Sequence, residues 1–301
     1  YWDMEGGTKD YAALRKKMNA ISYFAVSYDE NDALYVPEEI RAMAQEYKGK
    51  KIETYLSFTN DIVGKHRSEK DRELLRRLLR DDAAIDRTVG EMVALAKAFG
   101  VYGVELDYEN FAKDQTLLQR YLVLTYRLST ACMQNDLKLR IVLEPSVPFD
   151  AGFAKGPEYV VMLYNLYGKH SGPGAKADGA FIEKILTKME ALPENRSVAF
   201  ATGGCLWQDY GLFGLKSGER RFITEREAVH LAEMHKAVPE RDAESAALHF
   251  RFEADGHETE VWYADSETLN AWITLAANRG ISSVSIWRLG GNVSFGQIRN
   301  Q

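Results

Sequence analysis

The chain has few of the residues that build metal sites and covalent cross-links. It contains two cysteines, Cys132 and Cys205, and six histidines among 301 residues. The cysteines lack the Cys-x-x-Cys spacing of zinc and redox sites, and the histidines show no ligand spacing. We therefore expect two buried free thiols, loop positions for His170 and His257, and no metal ion or cofactor.

Long apolar runs and long basic runs are also missing. No apolar run reaches 18 residues, so no membrane-spanning helix is predicted. The formal net charge is −6, and the basic stretch at residues 72–80 (RELLRRLLR) is typical of the solvated side of a short helix. Because phosphate binding needs clustered lysine and arginine, nucleic acid is not an expected partner. With 46% hydrophobic and 27% charged residues, the chain can bury a large core.

Short β-rich runs alternate with helical patterns along most of the chain. The runs cover residues 21–26, 52–58, 102–108, 139–144, 159–164, 197–202 and 283–287. Helical spacing is present over residues 11–18, 37–47, 81–99, 115–134, 179–192, 225–236 and 266–278. Counting the strand-like Tyr1-Trp2 gives eight strands. The alternation predicts an α/β fold, a (β/α)8 TIM barrel formed by residues 1–301 as a single domain. An open doubly wound sheet is the alternative.

The connection between the seventh and eighth predicted strands is too long for one βα unit. It spans about eighty residues, roughly 203–282, whereas such connections are usually short. Within it, the alternating runs 247–253 and 258–263 flank Asp255-Gly256. An Asp-Gly pair between alternating runs predicts a β-hairpin. We expect a hairpin-containing insertion that lines one side of a cleft.

Three acidic residues share one face of the strand predicted at residues 102–108. Side chains alternate along a strand, so Glu105, Asp107 and Glu109 point one way. The residues between them point the other way: Val104, Leu106 and Tyr108. In an amphipathic strand with one face in water, the acidic residues would stay hydrated and would cost little free energy. A barrel strand, however, is covered on both faces. Three carboxylates inside a barrel are costly through desolvation and repulsion, and this indicates a functional site.

The segment YGVELDYE resembles the DGxDxDxE signature at the fourth strand of family-18, chitinase-like glycoside hydrolases. Counting Tyr1-Trp2 as the first strand makes this the fourth. Other segments resemble the family in the same order: Met162-Leu163-Tyr164-Asn165, Gly203-Gly204-Cys205-Leu206-Trp207 and Ser285-Ile286-Trp287. The hairpin and the segment Val261-Trp262-Tyr263-Ala264-Asp265 are most similar to bacterial spore-cortex and cell-wall lytic N-acetylglucosaminidases.

The chain departs from the family pattern at three positions. Tyr102 and Glu105 stand where the signature has aspartates, and Asn165 replaces the aspartate after the sixth-strand tyrosine. The resemblance identifies Glu109 as the proton donor, and that residue is intact. Non-catalytic chitinase-like lectins commonly lack this glutamate, so its presence favours an enzyme.

The resemblance implies a substrate-assisted, retaining mechanism. Glu109 protonates the leaving oxygen and later deprotonates water, while the substrate's 2-acetamido oxygen attacks the anomeric carbon. Asp107 holds the acetamido N–H, and Tyr164 hydrogen-bonds the acetamido oxygen. Glu105 is expected to share a proton with Asp107, which would separate their pKa values.

Further residues are candidates for substrate binding. Trp287 is expected to stack on the sugar, with a core tryptophan as the alternative. For Trp207, an outer sugar platform and loop packing are equally favoured. Asn165 is expected to hydrogen-bond the sugar or to cap a loop. Glu144, at the end of the fifth predicted strand, is a ligand candidate or a salt-bridging residue.

The implied partner is an N-acetylglucosamine-containing polysaccharide, of peptidoglycan, chitin or N-glycan type, bound by a monomer. We expect an extracytoplasmic location, secreted or associated with the cell wall or spore, with the targeting segment removed ahead of Tyr1. Two alternatives stay open. One is a non-catalytic glycan-binding protein of the same fold. The other is an ordinary two-carboxylate glycosidase, in which a second carboxylate such as Glu144 is the nucleophile about 5–5.5 Å from Glu109.

Overall fold

The structure, a computed structural model, describes residues 4–47, 52–209 and 218–299. In chain order its α-helices are α1 (Met4–Leu14), α2 (Glu38–Tyr47), α3 (Arg72–Leu78), α4 (Asp82–Phe99), α5 (Gln115–Gln134), α6 (Gly179–Lys188), α7 (Glu225–His235) and α8 (Ser266–Asn278). Its strands are β1 (Ala20–Tyr28), β2 (Leu34–Tyr35), β3 (Glu53–Ile62), β4 (Gly103–Asp107), β5 (Lys138–Leu143), β6 (Glu158–Met162), β7 (Arg196–Ala201), β8 (Gly203–Gln208), β9 (Arg220–Ile223), β10 (Glu240–Arg241), β11 (Leu248–Ala254), β12 (His257–Ala264) and β13 (Val284–Trp287).

Capping residues mark the ends of two long helices, α4 and α5. Asp81 precedes α4, and its carboxylate accepts the backbone N–H of Ala84 at 2.7 Å. Gly100 ends α4 in the left-handed conformation, at φ 65°, which glycine adopts without a steric penalty. Asp114 caps α5 in the same way as Asp81, because a short acidic side chain satisfies a free N–H of the first turn. Helices α4, α5 and α8 therefore form where the sequence predicts them.

The described chain divides into two compact units. The first unit, residues 18–161 and 189–197, contains a sheet in the order β6-β5-β4-β3-β1-β2. All neighbours in this sheet are parallel except β2, which pairs antiparallel with β1. The helices α3 and α4 connect β3 to β4, and α5 connects β4 to β5, so these parallel strands are joined by helical connections.

β4 lies between β3 and β5 and is closely packed at its start. A Cβ atom on Gly103 would lie 2.5 Å from the carbonyl oxygen of Lys138 and 2.7 Å from the ring of Tyr55. Only glycine fits there, which explains the glycine at the start of the acidic strand. Further along, Val104 and Leu106 are fully buried. This strand is thus fixed in register between its neighbours.

The second unit comprises residues 4–17, 162–188 and 198–299. In it, β13 pairs in parallel with β7, and a second sheet is antiparallel, in the order β10-β11-β12-β8-β9. The hairpin predicted around Asp255-Gly256 forms, since β11 and β12 pair from Leu248 to Tyr263. This sheet packs on α7 through a buried cluster: Leu206, Ile223, Ala228, Ala232, Phe250, Val261 and Tyr263.

The α/β class predicted from the alternation is confirmed. Several details differ. The segment around Gly203–Gln208 forms a strand rather than a loop, and α1 begins at Met4, ahead of the predicted residues 11–18. His257 begins β12 instead of lying in a loop, whereas both cysteines are buried free thiols as expected. Tyr1-Trp2 lies outside the described residues. The single domain and the insertion stay predictions.

Among the residues described, none of the helices combines the length and apolar character that a bilayer crossing requires. Across the same ranges, no group of three or more histidine, cysteine, aspartate or glutamate residues is arranged to hold a metal ion.

Candidate active site

The acidic residues of β4 and its extension alternate with buried ones. Glu105 and Asp107 lie on the strand, and Glu109 follows two residues beyond its end. Tyr108, between the last two carboxylates, is fully buried, and its hydroxyl hydrogen-bonds that of Tyr28 at 2.5 Å. The residues between the carboxylates, Val104, Leu106 and Tyr108, are buried as the alternation predicts, while Glu105 is buried as well and Asp107 is partly exposed.

The backbone of Glu109 is held by an asparagine at the end of the neighbouring strand. The N–H of Glu109 donates to Asn60 Oδ1 at 2.9 Å, and Asn60 Nδ2 donates to the carbonyl of Glu109 at 3.2 Å. The same Nδ2 reaches the carbonyl of Asp71 at 3.1 Å. Asn60 is almost fully buried, so this two-way contact is shielded from water and fixes the position of Glu109.

The side chain of Glu109 forms an ion pair with a lysine. Lys70 Nζ lies 2.5 Å from Glu109 Oε2, and the exposed fractions of the two side chains are 45% and 13%. Lys70 lies in the loop between β3 and α3, and its backbone N–H donates to Asp61 Oδ1 at 2.8 Å. The carboxylate is thus largely enclosed while its cationic partner is open to solvent.

Glu144 and Arg72 hold the residue that follows Glu109. Glu144 Oε2 accepts the backbone N–H of Asn110 at 2.8 Å, and Arg72 donates to the carbonyl and the side-chain oxygen of Asn110 at 2.9 and 2.7 Å. Asn110 itself is left-handed, with φ 64°. Glu144, predicted as a ligand or a salt-bridging residue, here accepts a backbone hydrogen bond and so supports the turn after Glu109.

Burial raises the pKa of Glu109 to about 7. The ammonium of Lys70 opposes this shift by favouring the carboxylate, while the charges of Glu144 and Asp61 add to it. Loss of hydration disfavours the charged form, and this exceeds the attraction of one cation. Glu109 therefore titrates near neutral pH, the range in which one carboxyl group can both donate and accept a proton.

Asp107 is the second carboxyl with a perturbed titration. Burial raises its pKa well above the ordinary range, and the charges of Glu109 and Glu105 raise it further. Its Oδ1 atom is buried without a hydrogen-bond partner among the described residues. Buried polar atoms are rarely left unsatisfied in folded proteins. An unsatisfied oxygen next to Glu109 is the kind of acceptor that a substrate N–H can fill.

Glu105 pairs with an arginine and not with Asp107. Arg140 occupies the position on β5 directly opposite Glu105, and Arg140 Nη1 lies 3.0 Å from Glu105 Oε2. Arg140 Nε also lies 3.2 Å from Glu158 Oε2, and the guanidinium lies over the ring of Tyr55 at 5.2 Å. The Glu105 side chain thus reaches across to the neighbouring strand, and the expected proton sharing between Glu105 and Asp107 stays a prediction.

Four predicted site residues belong to the second unit: Tyr164, Asn165, Trp207 and Trp287. Tyr164 and Asn165 follow β6 in the chain and are partly exposed, with Asn165 left-handed at φ 63°. Trp287 ends β13 and is partly exposed; its carbonyl accepts the N–H of Thr202 at 2.7 Å. The peptide between Trp287 and Arg288 is cis. The binding roles of Tyr164, Asn165 and Trp287 stay predictions.

Trp207 lies in β8 and is 1% exposed. Its indole N–H donates to the carbonyl of Ser171 at 3.0 Å. A sugar platform must present a ring face to solvent, so the structure supports the packing alternative for this residue. The burial of Trp207 contradicts the outer-platform interpretation.

Sequence reasoning missed Asn60, Lys70 and Asn110, which position Glu109. One signal was available for Asn60: polar residues at the carboxyl ends of parallel strands converge on the same edge, and Asn60 lies near the end of β3 as Glu144 lies after β5. No comparable signal existed for Lys70, because loop geometry brings it to Glu109.

No family model matches the chain. The uncharacterized glycosylase YvbX of Bacillus subtilis is 25% identical over 307 residues, covering 95% of this chain and 85% of the relative. The cortical fragment-lytic enzyme of Bacillus cereus is 22% identical over 92% of this chain, which spans 66% of that enzyme.

Solved structures share the fold over nearly the whole chain. A chitinase from Chromobacterium violaceum superposes with a TM-score of 0.83 at 18% identity, covering 97% of this chain and 93% of the chitinase. A class V chitinase from Nicotiana tobaccum, solved in complex with NAG4, gives a TM-score of 0.75 at 13% identity, covering 98% and 94%. The resemblance to chitinase-like proteins is confirmed. The class of protein that these relatives support is the glycoside hydrolases.

Proposed function

We propose that the chain is a retaining glycoside hydrolase that cleaves β-linked N-acetylglucosamine polymers, with Glu109 as general acid and base. One observation carries the proposal. Glu109, which titrates near neutral pH, lies two residues from Asp107, whose buried Oδ1 has no partner among the described residues. A proton donor next to an unfilled acceptor is the arrangement that substrate-assisted cleavage of an acetamido sugar requires.

In the first step, protonated Glu109 gives its proton to the oxygen of the leaving sugar as the glycosidic bond breaks. The acetamido oxygen of the sugar before that bond attacks the anomeric carbon and closes a cationic five-membered ring. In the second step, Glu109, now a carboxylate, takes a proton from water, and the water oxygen opens the ring. The configuration at the anomeric carbon is retained because it is inverted twice.

Asp107 accepts the acetamido N–H through Oδ1 and stabilises the positive charge of the ring intermediate. Tyr164 donates its hydroxyl hydrogen to the acetamido oxygen and aligns it for attack. Trp287 stacks on the sugar, and Asn165 hydrogen-bonds to it. Glu105 forms an ion pair with Arg140 beside Asp107. Glu144 accepts the N–H of Asn110 and so supports the turn after Glu109.

The names of the relatives support peptidoglycan or chitin as the polymer, since they include a cortical fragment-lytic enzyme and a chitinase crystallised with NAG4. We infer an extracytoplasmic place of action, at a cell wall or spore. The fold is proposed to be a (β/α)8 barrel of one domain, with the antiparallel sheet as an insertion between its seventh and eighth strands, acting as a monomer.

Glu109→Gln tests the proposal directly. The amide has nearly the shape of the carboxyl group but cannot act as acid and base, and such assistance is typically worth about 10²–10⁴-fold in rate. We expect loss of at least about 100-fold in hydrolysis of GlcNAc oligomers and of cell-wall sacculi, with oligomer binding retained. Glu219→Gln, at an exposed ion pair with Arg221, is the matched control and should keep full activity.

The same experiment separates the alternatives. If the wild-type protein binds a GlcNAc oligomer but turns over neither oligomers nor sacculi, the chain is a glycan-binding protein of this fold. Trapping of a covalent glycosyl-enzyme, by contrast, would indicate a two-carboxylate glycosidase. A Glu109→Gln variant that keeps more than about a tenth of wild-type turnover would refute the assignment of Glu109.

A further inference from the structure

The loop position of Lys70 is fixed by its backbone. Its N–H donates to Asp61 Oδ1 at 2.8 Å, and its carbonyl accepts Asn110 Nδ2 at 3.2 Å. The next residue, Asp71, donates its N–H to the carbonyl of Asn60 at 2.8 Å. Because these contacts use main-chain atoms of Lys70, its side chain can be replaced without removing what holds the loop.

The two partners of the ion pair are positioned by consecutive residues of β3. Asn60 holds the backbone of Glu109, and Asp61 holds the backbone of Lys70. The end of β3 therefore fixes the backbone positions of both Glu109 and Lys70. The 2.5 Å contact between Lys70 Nζ and Glu109 Oε2 follows from this shared support, unlike an ion pair between two independent surface side chains.

The pair distinguishes the two oxygens of Glu109. Oε2 is occupied by Lys70, and Oε1 has no hydrogen-bond partner in the described ranges. A lysine ammonium carries only donors and cannot accept a hydrogen bond. A proton on Oε2 would point at another donor, so the protonated form of Glu109 carries its hydrogen on Oε1.

The charged groups that face Glu109 come from three elements besides its own. They are Asp61 at the end of β3, Lys70 in the loop that follows, and Glu144 after β5, while Asp107 ends β4 two residues before Glu109. The charges of Glu144 and Asp61 disfavour ionisation of Glu109, and Glu109 in turn raises the pKa of Asp107. Lys70 is the cation in contact with Glu109, and it alone in this group acts in the opposite direction.

We propose that Lys70 is a positioning residue of the acid–base site: it binds Oε2 of Glu109, directs the transferable proton to Oε1, and favours the ionised carboxylate. This inference rests on the proposed role of Glu109. Its consequence is that Lys70 makes Glu109 a stronger acid in the first step and a weaker base in the second. An opposite charge at this range lowers a carboxyl pKa by about 1–3 units.

Lys70→Met removes the charge and keeps an unbranched chain, and Lys70→Arg keeps the charge. Lys65→Met is the matched control, because Lys65 is an exposed lysine on the same loop. Two readouts are measured on the full chain. One is kcat/KM against pH for a chitin oligomer. The other is the titration of the Glu109 carboxyl carbon by NMR, with ¹³C-labelled glutamate and the signal assigned from Glu109→Gln.

In Lys70→Met we expect the Glu109 titration and the alkaline limb of kcat/KM to move upward by at least about one pH unit. Lys70→Arg should stay within about half a unit of wild type, and Lys65→Met should not move. A merely structural role for Lys70 would lower activity without moving either titration. Unchanged midpoints in a folded Lys70→Met variant would overturn the proposal.

The two readouts keep this inference distinct from the proposed function. If Glu109→Gln stays active, Glu109 is not the acid, and the NMR midpoint alone then tests whether Lys70 controls its ionisation. A shifted midpoint with an unshifted rate profile would mean that Lys70 acts on Glu109 as inferred but that another group supplies the catalytic proton, which overturns the role in catalysis.

Discussion

Replacing Glu109 by glutamine should change how the stability of the protein depends on pH. The pKa of Glu109 is raised from 4.5 to about 7 by burial, so between these values the folded state holds a proton that the unfolded state has released. Stability falls with rising pH wherever the folded state binds more protons. The wild-type protein therefore loses stability as the pH rises through this window, and Glu109→Gln lacks that loss.

The magnitude follows from the size of the shift. Each pKa unit corresponds to about 1.4 kcal/mol, and the two pKa values differ by about 2.5 units. The full effect is therefore about 3 kcal/mol, and roughly 2–3 kcal/mol of it falls between pH 5 and pH 8. Solvent screens this free-energy contribution only weakly, because the Glu109 side chain is only 13% exposed. Since Asp107 titrates in the same cluster, the step belongs to the pair.

Urea unfolding at pH 5 and pH 8 measures this difference in wild type and Glu109→Gln. We expect the stability of wild type relative to the variant to fall by about 2–3 kcal/mol between the two pH values. Glu219→Gln, an exposed carboxylate paired with Arg221, should show no such change. A relative stability that stays constant, or that rises with pH, would refute the argument that burial outweighs Lys70 at Glu109.

Three further predictions concern other parts of the chain. Glu105→Gln should lower the free energy of unfolding by about 3 kcal/mol, near the lower end of the range for breaking a buried ion pair, because Glu158 still contacts Arg140. The control Glu219→Gln should stay within about 1 kcal/mol of wild type. Equal losses in the two variants would show that the pair of Glu105 and Arg140 is not effectively buried. Trp207→Ala should cost about 3–5 kcal/mol in urea unfolding and leave the oligomer Kd of the folded protein unchanged, whereas a selective loss of binding would restore the sugar-platform role. Oligomers with glucosamine before the cleaved bond should be cut far more slowly than acetylated ones, since they lack the proposed nucleophile; equal rates would indicate an enzymic nucleophile.

Local signals in the sequence mark the ends of α4 and α5. Asp81 before α4, Gly100 after it and Asp114 before α5 each satisfy a free backbone group at a helix end, and this chemistry depends only on neighbouring residues. The alternation along β4 was equally local. It separated the apolar Val104 and Leu106 from the acidic set, which is why the candidate acids could be recognised from the sequence.

Contacts between residues far apart in the chain could not be predicted from the sequence alone. Arg140 faces Glu105 because β4 and β5 are paired in one particular register, and a shift of one residue would have removed the pair. Lys70 reaches Glu109 across 39 positions of the chain. Trp207 is buried because β8 joins a sheet with β12 and β9, whereas its glycine-rich surroundings predict a loop.

The departure from the family signature at Glu105 has a physical consequence for the site. A glutamate is one methylene longer than the aspartate of the signature, and here it reaches Arg140 on the neighbouring strand. The ion pair offsets part of the negative charge of Glu105, and the remaining repulsion still raises the pKa of Asp107. Asp107 and Glu109 are the two acids of the candidate site whose pKa values burial raises. Their roles depend on what each one contacts: Lys70 binds Glu109, whereas among the residues that the structure describes no cation contacts Asp107 and no partner fills its Oδ1. Groups of the same type in different environments can in this way take different roles in one reaction.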